Sequence, residues 1–391
     1  MTHPLLEALQ VNEAQFIALR RRFHQQPEIG FEEHQTSSEV ARLLGEWGYE
    51  VHRGLAGTGV VGTLRVGEGK KRLGLRADMD ALPMQERSGK PWASQVEGRF
   101  HGCGHDGHTT TLLYAAEYLA RTRQFTGTLQ LIFQPAEELL YGGRVMVEDG
   151  LFDQFPCDAI FGLHNMPGLP VGKLGFYAGN FMASADTVKI TITGYGGHGA
   201  HPERTVDPIV TGAALVMNLQ SIVARNVPPG ETAVVSVGTF QAGIASNVIP
   251  ENVVMELSVR AMKPEIRDLL IKRIKELADF TAKSYGASSE VEVFDSYPVL
   301  TNSDEETEFA KALALEVFGE EGVLESISPM NASEDFAFML QKRPGCYFLL
   351  GNGEKGGKGG CMVHNPGYDF NDDIISTGAT LFVRLVETHC R

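Results

Sequence analysis

Apolar positions along this chain recur in two rhythms. Near the start, Phe16, Leu19 and Phe23 share one helical face, with Asn12 as the cap and Pro27 as the stop. A second helix is predicted from the capping box Thr36-Ser37-Ser38-Glu39. It buries Val40, Leu43, Leu44 and Trp47 and ends at Gly48. Continuous apolar runs then predict strands at 59–66, 73–77, 128–133 and 159–163, with a helix over 109–121. Strands alternating with helices imply an α/β layer around a largely parallel sheet. Ligands gather past the carboxyl ends of such strands. Asp78-Met79-Asp80, Glu137-Glu138 and His164 all fall there.

The middle of the chain alternates differently. A strand over 187–193 carries Val188, Ile190 and Ile192 on one face. A helix over 207–225 spaces Ile209, Val210, Ala213, Ala214 and Met217 along an apolar stripe. Strands at 233–241 and 253–262, a helix over 264–285 and a strand at 290–294 complete the order βαββαβ, a ferredoxin-like unit. The expected division is 183–296 for this inserted domain, and 1–182 with 297–391 for a discontinuous first domain. Helices over 304–318 and from about Asp373, and a strand at 346–350, follow it. The glycine-rich stretch 351–360 reads as a flexible loop and lacks the G-K-[ST] ending of a phosphate cradle.

At 391 residues and 43% hydrophobic content, the chain can build two or three cores. A net charge of −15 argues against nucleic acid or an anionic membrane surface as partner. No apolar run approaches the ~20 residues that span a bilayer. Met1-Thr2-His3-Pro4-Leu5 lacks the basic-then-apolar order of a secretory leader. Five scattered cysteines do not form a disulfide framework, so the expected setting is reducing and cytoplasmic.

The chemistry concentrates in Phe100-His101-Gly102-Cys103-Gly104-His105-Asp106-Gly107-His108. Cys103 and His105, two apart in a tight loop, can converge on one borderline-soft cation. Of the acids Glu137 and Glu138, one can bind metal while the other moves protons. Alone, the pair is equally a solvated helix start. His164 and His364 are candidate ligands because such a site needs more donors, and His101 and His108 are candidates to support it. His24, His34, His52 and His389 read as structural or surface residues. In the inserted domain, the loop Gly194-Tyr195-Gly196-Gly197-His198-Gly199-Ala200-His201-Pro202 is either a plain turn or a close approach to substrate.

These motifs resemble the hippurate hydrolase and indole-acetyl-amino-acid hydrolase branch of the dinuclear aminoacylase and carboxypeptidase-G-like amidohydrolases. The matching pieces are Arg21-Arg22-Phe23-His24 with Pro27-Glu28, Arg76-Ala77-Asp78-Met79-Asp80, and His101 to His108. Gln134-Pro135-Ala136-Glu137-Glu138, Gly162-Leu163-His164, Gly197-His198-Gly199-Ala200, Asn247-Val248-Ile249-Pro250, Ser333-Glu334-Asp335-Phe336 and His364-Asn365-Pro366 follow in order. The resemblance implies a metal-dependent exopeptidase-like α/β catalytic domain with an inserted ferredoxin-like lid and dimerisation domain. It implies two divalent ions per subunit (Zn, Mn, Ni or Co) on Cys103, His105, Glu138, His164 and His364, with Cys103 bridging. It makes Glu137 the general base, His198 the oxyanion donor, Asn247 and Arg260 the holders of the substrate carboxylate, and Asp80 a residue orienting a histidine. The position ahead of Asp80 is Asp78 where the wider superfamily has a histidine ligand, which leaves the part of Asp80 open. Glu203 stands where relatives often carry histidine.

The implied activity is hydrolysis of N-acyl amino acids by a homodimer or higher homo-oligomer. Three rivals use the same residues: a dinuclear metal dipeptidase, a Cys103 thiol amidase with His105 as base, and a non-catalytic metal-binding protein.

Overall fold

The computed structural model describes residues 3–391, with the side chains of residues 139, 140, 295 and 296 left aside. The chain forms two compact units. The first comprises residues up to Gly179, Thr301–Ser328 and Asp335–Arg391; the second comprises Asn180–Leu300 and Pro329–Glu334.

A seven-stranded sheet forms the first unit. Its order is Glu50–Leu55, Gly59–Val66, Gly127–Gln134, Arg72–Asp78, Ala159–Pro167, Gly345–Gly353 and Leu174–Gly175. The four strands from Gly127–Gln134 to Gly345–Gly353 run parallel. Both flanks pair antiparallel, so the sheet is mixed rather than largely parallel. The difference arises because residues 50–66 form a hairpin, closed at Leu55↔Gly59, that needs no helical crossover. Strands buried on both faces read as unbroken apolar runs, and Arg72–Asp78 and Gly345–Gly353 are buried almost throughout. The glycines at 351 and 353 therefore belong to a strand, and the loop starts only after them. The helix His105–Thr122 is buried along most of its circumference and packs on Ile375–His389, Glu13–Gln25 and the strand Arg72–Asp78.

Two helix starts differ from the sequence reading. A short helix, Pro4–Gln10, precedes Glu13–Gln25, and the Asn12 side chain caps nothing. The next helix begins at His34, ahead of the Thr36 box, because the Glu28 carboxylate accepts the N–H groups of Gln35 and Thr36. Val40 and Leu44 are fully buried there, while Leu43 and Trp47 are only partly so.

The second unit is a four-stranded antiparallel sheet, ordered Ala233–Ala242, Asn252–Ala261, Ser184–Thr193, Ser288–Tyr297, with the helices Pro208–Arg225 and Pro264–Ser284. Val188, Ile190 and Ile192 meet Val253, Met255, Leu257 and Val259 from the sheet and Leu215, Leu219, Ile222, Leu270 and Ile274 from the helices. The stripe expected to bury in the first helix does not. Ile209, Val210 and Met217 are exposed, while Thr211, Gly212, Leu215 and Leu219 face the core. This helix carries apolar residues all round, so spacing alone could not choose the buried face.

Candidate active site

Four parallel strands deliver the donors at one end of the first sheet. Asp78 closes the strand Arg72–Asp78 and Asp80 follows it; Glu137 and Glu138 come just after Gly127–Gln134. His164 lies inside Ala159–Pro167, three residues before its end, and His364 is in the loop beyond Gly345–Gly353. Cys103 sits in the turn before the helix His105–Thr122. Gly104 makes that turn at φ 93°, and a Cβ there would stand 2.4 Å from both Asn165 Oδ1 and Tyr368 OH. At Gly107 a Cβ would fall 2.2 Å from the Phe370 ring, so this residue too cannot enlarge. His364, at φ 62°, is fixed by its N–H donating to Gly102 O at 2.7 Å.

The donor atoms form two groups that share the thiol. Those of Cys103, His105 and His164 lie within 4.8 Å of one another, and so do those of Cys103, Glu138 and His364. The Cys103 Sγ is 3.4 Å from His164 Nε2, and His364 Nε2 is 3.1 Å from Glu138 Oε1. Glu137 lies beside them, with Oε2 at 4.0 Å from His105 Nε2. Cys103, His105 and Glu137 are buried, whereas His364 is half exposed.

Two of the histidines, His105 and His164, are oriented by their other nitrogen. His105 Nδ1–H donates to Asp80 Oδ1 at 3.1 Å, and His164 Nδ1–H donates to the carbonyl of Asn165 at 2.6 Å. Both Nε2 lone pairs are thereby left for the cluster. Asp80 Oδ2 also accepts the N–H of Glu138 at 2.9 Å. His105 Nε2 is buried without a hydrogen bond of sound geometry. Buried polar atoms are rarely left so. Thiolate, imidazole and carboxylate together suit a borderline divalent ion, so the residues present fit the two ions that the resemblance implies.

The electrostatics agree with that fit. Burial, and then Glu138, push the Cys103 thiol up. Hydrogen bonds to Cys103 and Glu138 raise His364 to about 10. Burial opposes a charge on His105, but Asp78 and Cys103 hold it well above the usual histidine range. Burial and the neighbouring His108 lower His164 to about 3. Without metal, the cluster therefore stores protons that a cation would displace.

Asp78 groups with His105 and His108, and its carboxylate is already engaged. Its carboxylate accepts from Arg76 Nη1 at 2.8 Å and His108 Nδ1 at 2.7 Å. Burial disfavours its charge, yet His105, His108 and Arg76 hold it well below the usual carboxylate range. His108 Nε2 lies 2.7 Å from Asn165 Oδ1, so it braces the residue that orients His164. Its spacing of one helical turn from His105 was the available sequence signal. His101 is fully buried with neither ring nitrogen hydrogen-bonded, and burial lowers it to about 4. His24, read as structural or surface, is buried in an ion cluster with Asp106, Glu86 and Arg20.

His198, Asn247 and Arg260 belong to the second unit. His198 pairs with Val248 in a two-residue ladder, and Gly199 N–H donates to Asn247 O at 2.8 Å, so one loop cluster carries both residues. Arg260 Nη1 donates to Asn331 O at 2.9 Å. The Glu203 carboxylate lies 3.5 Å from both His201 Nδ1 and Arg204 Nε, on an exposed turn.

The α/β scaffold and its two donor groups around one thiol define a metallohydrolase. Residues 74–388 match the description of peptidase family M20/M25/M40, and the chain belongs to that family. It is 43% identical over 373 residues to the hippurate hydrolase of Campylobacter jejuni, covering 95% of this chain and 96% of that protein. It is 36% identical over 372 residues to the N-acetylcysteine deacetylase of Bacillus subtilis, covering 94% and 95%. Among solved structures it is similar to the Bacillus subtilis YXEP protein, a dinuclear metal binding peptidase. The TM-score is 0.85 at 31% identity, over 97% of this chain and 99% of that one.

Proposed function

We propose that this enzyme hydrolyses the amide bond of N-acyl amino acids, with N-benzoylglycine and N-acetyl amino acids as the first candidates. The observation that carries this reading is the pair of donor groups sharing Cys103, with Glu137 at their edge. Two similar proteins, a hippurate hydrolase and an N-acetylcysteine deacetylase, act on substrates of this class and span almost the whole chain.

Cys103, His105 and His164 would hold one divalent ion, and Cys103, Glu138 and His364 the other; Zn, Mn, Ni and Co all suit these donors. Bound there, the ions supply Lewis-acid polarisation of the amide carbonyl and acidify water. Glu137 takes the proton from the attacking water and passes it to the leaving nitrogen. Asp80 is a positioning residue, holding His105 through one oxygen and the Glu138 backbone through the other. His198 donates to the developing oxyanion, a contribution of about 3 kcal/mol for one donor. Arg260 and Asn247 hold the substrate carboxylate, for which a guanidinium fork is well shaped.

The second unit serves as lid and dimerisation domain, and its residues 183–296 form the insertion. Ile209, Val210 and Met217 are exposed on its helix Pro208–Arg225, and Phe240 on its edge strand Ala233–Ala242. An apolar stripe beside the open edge of a strand suits a second copy of the chain. The five free cysteines fit a reducing cytoplasm. No described helix is long and apolar enough to cross a membrane.

The test is a screen of N-acetyl, N-benzoyl and indole-acetyl amino acids against unblocked dipeptides, using protein of measured metal content. Turnover confined to the dipeptides would replace this reading with that of an exopeptidase.

A further inference from the structure

Glu33 stands in the capping position of the helix His34–Glu46 but does not cap it. That task falls to Glu28, as described above. The Glu33 side chain is fully buried and turns to the segment carrying the acid pair. Its Oε1 accepts the N–H of Ala136 at 2.8 Å, and its Oε2 accepts the Thr58 hydroxyl at 2.6 Å. Burial pushes this carboxyl up to about 7, so the group is kept inside against its own solvation.

Ala136 directly precedes Glu137 and is left-handed, at φ 54° and ψ 45°. A residue with a Cβ holds that conformation only when its surroundings impose it. Tyr141, at the far end of the four-residue helix Glu137–Leu140, is left-handed as well. Three carboxylates grip the backbone of this segment: Glu33 at Ala136, Asp80 at Glu138, and Asp335 at Gly143 with a 2.7 Å contact. Asp80 also orients His105, and Asp335 also binds Arg76 and Gln134. Beyond the segment, the Glu33 carboxylate accepts from the Thr58 hydroxyl.

We infer that Glu33 is a positioning residue for the hydrolytic reaction. By holding Ala136 left-handed through its N–H, it fixes the direction in which Glu137 leaves the backbone. The inference rests on Glu137 being the base. What Glu33 must supply is an acceptor at Oε1; a negative charge is not required.

The experiment measures kcat, KM, metal content and circular dichroism for metal-loaded E33Q, E33M, E33M/A136G and E137Q with N-benzoylglycine. E33Q keeps the acceptor and should retain kcat within about threefold. E33M fills the same space without an acceptor, and kcat should fall about ten- to a hundredfold with KM and metal content little changed. Glycine adopts the left-handed region freely, so A136G should restore about threefold or more of the E33M loss. A folded, metal-loaded E33M enzyme at the wild-type kcat overturns the inference. So does a loss that E33Q shares and A136G does not relieve. If E33M fails to fold, E33Q decides: more than a tenfold fall in its kcat overturns the inference. E137Q is read separately, since wild-type turnover there sinks the base assignment itself.

Discussion

Asp80 Oδ1 accepts the Nδ1–H of His105 at 3.1 Å, and this contact fixes which nitrogen of His105 faces the donor cluster. The other oxygen of Asp80 holds the Glu138 backbone, so one carboxylate aligns a donor from each group. These two contacts are the ones expected of a residue that orients a histidine. Asp80→Ala should weaken metal binding by about 10–100-fold, the usual effect of losing a partner that orients a ligand. Metal retained after graded dialysis checks this; wild-type retention would contradict it.

Glu137→Gln should keep two ions per chain and lose turnover by about 10²–10⁴-fold, because the amide cannot take a proton from water. The measurement is kcat alongside metal content in the same preparation. Loss of metal in step with activity would make Glu137 a ligand instead of the base.

Metal uptake should release protons. In the metal-free protein, burial holds the Cys103 thiol protonated and hydrogen bonds hold His364 at about 10, so both carry protons at pH 7.5. Binding needs thiolate and neutral imidazole, so affinity should rise with pH toward 10. His105, also raised, adds a third, so about two to three protons per chain should appear. Calorimetric titration in two buffers of different ionisation heat counts them; a count of zero would contradict the ligand assignment.

Stability should fall as pH rises through about 9, for a reason separate from the metal. Burial disfavours the charged form of His24, but Asp106 at 2.8 Å, with Glu86 beyond, raises it to about 9. Arg20 and His101 also face this cluster. The folded pKa lies above the unfolded value near 6.5, so the contribution is complete below pH 6.5 and is lost on passing through 9. Its size is on the order of 3 kcal/mol. Urea unfolding of the wild type and His24→Gln across pH 6–10 checks this. The variant should be the less stable at pH 6, and the gap should shrink as pH rises; a constant gap would contradict the assignment.

The cluster was legible because Cys103, His105, Glu137, Glu138, His164 and His364 are types that seldom gather without chemistry, and because strand ends carry sites in α/β sheets. The groups that hold them were less so. Glu33 reaches Ala136 across 103 residues and Arg76 reaches Asp335 across 259, distances over which no periodicity speaks. The antiparallel flank was missed for a similar reason. The segment 50–55 is too polar to stand out as a strand, and it forms one by pairing with Gly59–Val66.

Bound metal and turnover of N-benzoylglycine should be measured on the same sample, before chelation, after it, and after ion replacement. The expected result is two divalent ions per chain, with activity abolished by their removal and restored by their return. Undiminished hydrolysis by protein stripped of metal would contradict it and return Cys103 to the part of nucleophile.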